Sequence, residues 1–201
     1  MKLKVKDMTF IALFAALMCV ISPFSLPIGP VPISLATLVV YIVASFLDYK
    51  RAPVVVLVYI LIGICGLPVF SSFSGGIGKI IGPTGGYIIG YFFLAIIESV
   101  LITIFRKKKW VYPLAMIAGT LVLYIFGTAW FMVLTEYSFT KAMMACVIPF
   151  LPGDALKIII ATSLSITLRE KYDHFVYVGN TNAQIEEVED SDSEDNLEDS
   201  K

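Results

Sequence analysis

"YIIGYFFLAIIESVLITIFRKKK", residues Tyr87 to Lys109, carries one charge, Glu98, in its first nineteen residues and then four cations in succession. A mostly apolar run of ~20 residues is the length that crosses a bilayer as a helix. Lys and Arg gather at the cytoplasmic end of such a helix. The stretch therefore reads as a transmembrane span whose C-terminal end lies inside the cell.

The same reading extends in both directions. Apolar residues make up 58% of the chain, charged residues 15%, and the mean hydropathy is +0.85. A soluble globular chain carries roughly 45–50% apolar and ~25% charged residues. Runs at 9–24, 31–48, 53–69, 85–105, 111–134 and 152–168 reach span length with their flanks. The expectation is an all-α membrane protein of six transmembrane helices, with a membrane domain over 1–175 and an acidic tail over 176–201. The first run has a basic start at Lys2, Lys4 and Lys6, but no clear small-residue cleavage site before Pro23. It reads as a retained first span rather than a removable signal peptide.

Eleven cations fall in the N-terminal tail, the 50–51 and 106–109 links and the start of the C-terminal segment. The opposite loops hold only Lys79 and Lys141, with Lys157 at the start of the last run. Both termini are expected in the cytoplasm. Residues 179–201 carry nine acids against Lys201 and no aromatics, a composition that stays disordered. Cys19, Cys65 and Cys146 are isolated in apolar surroundings, and His174 stands beside Asp173 without a second His or Cys. Neither a transition-metal site nor a Ser/His/Asp triad is expected, and no cofactor.

The links carry the chemistry. "FIALFAAL" places Ala12 and Ala16 on one helix face, where small residues let another helix come close, inside the protein or from a partner. "SPFSLPIGPVPIS" (22–34) has four prolines and no charge, which suggests a stiff cap over the outer helix ends. "LPVFSSFSGGIGKIIGPTGGY" (67–87) holds six of the 14 glycines. It matches neither GxxxxGK[ST] nor a dinucleotide fingerprint. Irregular backbone at membrane depth must line a cavity or be covered by protein. The segment is read as a Gly-rich outer loop that approaches a ligand or a helix end, anchored by Leu67, Val69 and Phe70, or else as a plain connector.

In "SFTKAMMACVIPFLPGDALK" (138–157), Ala142–Leu151 is too short to span and is expected as an interfacial helix before the last span. Asp154 and Lys157 follow three residues apart on one face, either as a functional pair or as an interfacial acid beside a snorkelling lysine. Glu98 is an intramembrane acid, read as snorkelling inward or meeting the cations near Arg106, with a coupled proton or a pairing with another helix as the alternatives.

"PVPISLATLVV" (30–40), "GICGLPVFSSFSGG" (63–76), "GPTGGYIIGY" (82–91) and "VIPFLPGDALK" (147–157) occur in that order. Together they resemble the BioY family, the biotin-binding S components of energy-coupling factor (ECF) transporters. The likeness covers roughly residues 8–170. It implies uptake of biotin without enzymatic activity. Energy would come from a transmembrane coupling protein and, through it, two ABC-type ATPases. The resemblance implies that Ala12 and Ala16 press against the coupling protein and that Lys157 meets the biotin carboxylate. Asp154 would accept from the ureido N–H groups or hold Lys157. Gly75, Gly76, Gly78 and Lys79 would close over the ligand. Thr84 and Tyr87 would add hydroxyls, and Trp130 and Tyr124 aromatic wall. The chain departs from the pattern at Ala36, where a glutamine often stands, and "SSF" at 71–73 lengthens the segment before the glycines. The rival readings are an S component for another vitamin, a stand-alone carrier, and an intramembrane enzyme using Asp154 and Glu98.

Overall fold

The computed structural model describes residues 5–27, 30–105 and 108–167. Arg106 and Lys107, the cations before Val5 and after Thr167, His174 and the acidic 176–201 segment lie outside the described residues. One compact unit covers Met1–Leu164, and a second begins at Ser165, of which the described residues up to Thr167 are helical.

The helices are α1 (Val5–Ile21), α2 (Ala36–Phe46), α3 (Ala52–Ile64), α4 (Ile77–Ile81), α5 (Gly85–Ile104), α6 (Val111–Thr135) and α7 (Phe139–Cys146). A further helix, α8, covers Leu151–Thr167. Two of them, α5 and α6, are each long and apolar enough to cross a membrane, and α7 with α8 forms a bent pair that also qualifies. The apolar runs of α1, α2 and α3 are shorter than ~20 residues because proline and glycine cut them. Pro23 follows α1, and Pro32 precedes α2. Pro53 sits in the first turn of α3, where its missing N–H costs nothing, and Gly66, at φ +100°, lies just past its end.

Two short strands form within the proline-rich segment. Ser25–Leu26 (β1) pairs antiparallel with Ile33–Ser34 (β2), in register Ser25 with Ser34 and Leu26 with Ile33. Ser34 Oγ donates to the Ser22 carbonyl at 2.7 Å and accepts from the Ala36 amide at 3.0 Å. One hydroxyl thus joins the end of α1 to the start of α2.

The Gly-rich segment is largely structured. It has a single 3-10 turn at Ser71–Phe73 and then α4. Val69 and Phe70 are buried, whereas Leu67 is 54% exposed. Phe70 lies edge-on to Tyr59 at 5.5 Å, and the Tyr59 hydroxyl donates to the Val69 carbonyl at 3.1 Å. Ser72 and Phe73 hold left-handed φ values of 59° and 54°. The Ser72 amide donates to the Pro23 carbonyl and to Ser25 Oγ, each at 2.9 Å, which fastens this turn to the first outer loop. The glycines let backbone pass backbone. A Cβ on Gly85 would lie 1.6 Å from the Ile80 carbonyl oxygen, and Gly76 takes a φ of +88°.

The two long helices pack face to face through small residues. A Cβ on Gly127 would fall 2.5 Å from the Tyr87 ring, and one on Gly90 2.7 Å from Leu123. Ile11, Ala15 and Met18 turn the buried face of α1 toward α2 and α3, while Ala12 and Ala16 lie on its exposed side. Arg51 pairs with Asp7 at 3.0 Å, tying the first turn of α1 to the start of α3. The short helix before α8 begins three residues earlier than its apolar run suggested, because Ser138 can precede it in extended conformation and a turn intervenes before Leu151.

Glu98 does not snorkel. It is 0% exposed, and its Oε1 accepts from Ser45 Oγ of α2 at 3.2 Å. The expectation of a pairing with another helix is the one met, near the C-terminal end of α2.

Candidate functional site

Three buried hydroxyl residues, Thr37, Tyr41 and Ser45, lie four apart on α2 and so share a face. Thr120, Tyr124 and Thr128 repeat the pattern on α6. An isolated hydroxyl in an apolar interior costs free energy unless it is bonded, and these are bonded to one another or to α5 and α8. Thr128 pairs with the Tyr87 hydroxyl at 3.0 Å, and Tyr41 pairs with Thr120 at 2.5 Å. Ser45 bonds Glu98, as above. Tyr87 also donates to the Cys146 carbonyl at 3.3 Å, so α5, α6 and α7 meet at this phenol.

The charged part of the ladder stands between these rungs. The turn at 147–150 leads into α8, which puts Asp154 and Lys157 on its inward face. Their side chains are only 7% and 9% exposed, with Nζ 2.8 Å from Oδ1. Lys157 Nζ also donates to the Ser34 carbonyl at 2.7 Å and to Thr37 Oγ1 at 2.9 Å. An ammonium has three donors, and all three are taken. The other carboxylate oxygen, Oδ2, accepts from the Tyr124 hydroxyl at 2.5 Å. The result is a neutral ion pair with every strong donor and acceptor satisfied.

This cluster walls a cavity of about 30 Å³ under the β1–β2 ribbon. Val31, Ile33, Tyr91, Leu123 and Phe150 give it apolar surface, and Ser34, Thr37, Tyr87, Tyr124, Asp154 and Lys157 give it polar groups. An apolar chamber with a few placed polar groups is the ordinary form of a small-molecule site. Such a site holds one carboxylate, one ammonium and several hydroxyls, which suits a ligand with both N–H donors and an acid.

Of the residues singled out in the sequence, Asp154, Lys157, Tyr87 and Tyr124 come together here. Gly75, Gly76, Gly78, Lys79, Thr84 and Trp130 do not line this cavity. Trp130 donates its indole N–H to the Gly82 carbonyl at 3.1 Å and abuts Gly86, so it braces the start of α5. Thr84 is buried ahead of the first turn of α5, and Lys79 is half-buried in the last turn of α4. Ser34, Thr37, Tyr91 and Phe150 were not anticipated. The four-residue spacing of Thr37, Tyr41 and Ser45 in an otherwise apolar helix was the available signal. Asp154 and Glu98 occupy separate hydrogen-bonded clusters rather than facing one another as an acid and base.

The BioY family model matches residues 1–174. The biotin transporter BioY2 of Lactococcus lactis subsp. cremoris is 32% identical over 171 residues, covering 85% of this chain and 94% of the relative. The probable biotin transporter BioY of Pyrococcus horikoshii is 38% identical, covering 77% and 91%. The biotin transporter BioY of Thermotoga maritima is 34% identical, covering 79% and 92%. Among solved structures, the S-component for biotin from an ECF-type ABC transporter superposes with a TM-score of 0.77. It covers 83% of this chain and 92% of that one at 23% identity, a likeness of fold. The family match and the coverage of these relatives make this chain a member of the BioY family.

Proposed function

We propose that this chain captures biotin from outside the cell as the membrane-embedded S component of an ECF uptake system. The observation that carries the reading is the buried Lys157–Asp154–Tyr124 cluster on the wall of an apolar chamber. Biotin offers a fused apolar ring system, a ureido group with two N–H donors and a carboxylate tail. Asp154 accepts from the ureido group, Lys157 exchanges its bond to Thr37 or to the Ser34 carbonyl for one to the carboxylate, and Tyr87 and Thr37 supply further hydroxyls. The Gly-rich segment with Gly75, Gly76, Gly78 and Lys79 lies on the outer side and closes over the ligand. Thr84 and Trp130 hold its C-terminal end in place. The relatives' names as biotin transporters support the same ligand.

The chain crosses the membrane six times with both termini in the cytoplasm, the short helices α1, α2 and α3 being completed by the irregular segments at their outer ends. Ala12 and Ala16, exposed on α1 beside Leu13 and Val20, form the face for the transmembrane coupling protein. Two ABC-type ATPases act through that protein, since this chain carries neither a P-loop nor a dinucleotide motif. The protein transports and does not catalyse.

The test compares free biotin with biotin amide on wild type and Lys157→Ala. A charge-assisted hydrogen bond contributes roughly 1.5–3 kcal/mol, so the variant should bind free biotin roughly 10–150-fold more weakly. The amide, with no carboxylate to pair, should lose much less. Equal losses for both ligands would make Lys157 a structural partner of Asp154, with Lys79 the next candidate for the carboxylate.

A further inference from the structure

We propose that Tyr124 is a specificity-determining gate of the site: its hydroxyl occupies the Asp154 oxygen that a ligand N–H must take, and its ring separates the chamber from an apolar groove able to receive it. The proposal rests on the biotin reading above.

Three observations converge on this residue. The chamber, at about 30 Å³, has room for a water or two, whereas pockets for small ligands run to roughly 300–1,000 Å³. Its lining, side chain or covering segment, must therefore move before a vitamin fits. Asp154 Oδ2 has the Tyr124 hydroxyl as its partner, and Oδ1 is held by Lys157. A ligand that seeks the carboxylate finds it occupied, and the partner easiest to displace is a neutral phenol rather than the ammonium. Finally, Tyr124 also lines a second space, an apolar groove of about 430 Å³ bounded by Ile125, Ala129, Met132, Phe139 and Met143. Tyr124 belongs to both walls.

A change of side-chain rotamer about Cα–Cβ is the natural move for a ring placed between two spaces. The methionines on the far wall are unbranched and yield readily to an incoming ring. Leaving the chamber, Tyr124 enlarges it and frees Oδ2 in one step. The exchange is balanced only when the ligand returns a donor to Oδ2, because a buried carboxylate left unpaired is costly. A ligand of similar shape without such an N–H would open the chamber and leave Asp154 unpaired. Tyr124 thus makes the N–H group a condition of binding.

The experiment measures biotin affinity and association rate on purified full-length chain. Tyr124→Phe removes the competing hydroxyl, and biotin should bind roughly 10–150-fold tighter and associate faster. Ala129→Phe fills the groove and should weaken biotin in the wild-type background but not in Tyr124→Ala, where no ring needs the space. Asp154→Asn is the reference. If it weakens biotin while Tyr124→Phe leaves affinity unchanged or lower, the gate is overturned and the site reading stands. If Ala129→Phe weakens both backgrounds equally, the groove is not where the ring goes and the gate is overturned. If Asp154→Asn leaves biotin binding unchanged, the site reading fails and the gate with it.

Discussion

Replacing Lys157 by methionine keeps the stem and removes the ammonium. Three bonds go at once, to Asp154 Oδ1, Thr37 Oγ1 and the Ser34 carbonyl. Asp154 is left as a buried charge supported by Tyr124. Breaking a buried ion pair from one side costs about 3–5 kcal/mol. Because the phenol remains, the low end applies, about 3 kcal/mol. A chain of 150–250 residues shifts roughly 2–4 °C per kcal/mol, so Tm should fall by roughly 6–12 °C. Replacing both partners, Asp154→Leu with Lys157→Met, removes the unpaired charge, and swapping a buried pair for apolar side chains is often neutral or stabilising. The double variant should therefore melt above the single one. Thermal unfolding of detergent-solubilised protein, without ligand, reads both. A single variant that melts like wild type, or a double variant that melts below it, would refute the picture of a satisfied buried pair.

Gly127→Val puts a side chain where a Cβ would already lie 2.5 Å from the Tyr87 ring. Overpacking of this kind costs about 1–3 kcal/mol and should also weaken biotin by pushing Tyr87 off Thr128, checked by melting and by ligand titration. Ala16→Trp, on the exposed side of α1, should leave biotin affinity unchanged and abolish ATP-dependent uptake in cells holding the coupling partners. Normal uptake and normal co-purification with those partners would limit that face to packing within lipid. With exposed Cys65 first replaced, cysteines at Ser72 and Ser138 should react with impermeant reagents from outside whole cells, and one at Lys108 should not. The reverse pattern would invert the topology.

The sequence displayed what charge and hydropathy make conspicuous. Asp154 and Lys157 stand out because ionisable groups beside an apolar run demand a partner, and each proved to be the other's. The long helices α5 and α6 were legible for the same reason. Thr37, Tyr41 and Thr120 were not, because a hydroxyl adds little to an apolar run and its partner is on another helix. The β1–β2 ribbon was hidden by prolines, which mark irregular chain without saying that two residues on either side will pair. Trp130 was read as ligand wall because aromatic rings suit apolar ligands. That its N–H serves the Gly82 carbonyl, a contact between residues 48 apart in sequence, was not legible. Leu67 looked like an anchor beside Val69 and Phe70, but its side chain is exposed and only the latter two are buried.

The most direct measurement is equilibrium titration of biotin into the purified chain, free of its partners and of nucleotide. Saturable binding of one biotin per chain, weakened by Asp154→Asn and unaffected by ATP, is the predicted result. No saturable binding, or binding that appears only when ATP is added, would contradict the account.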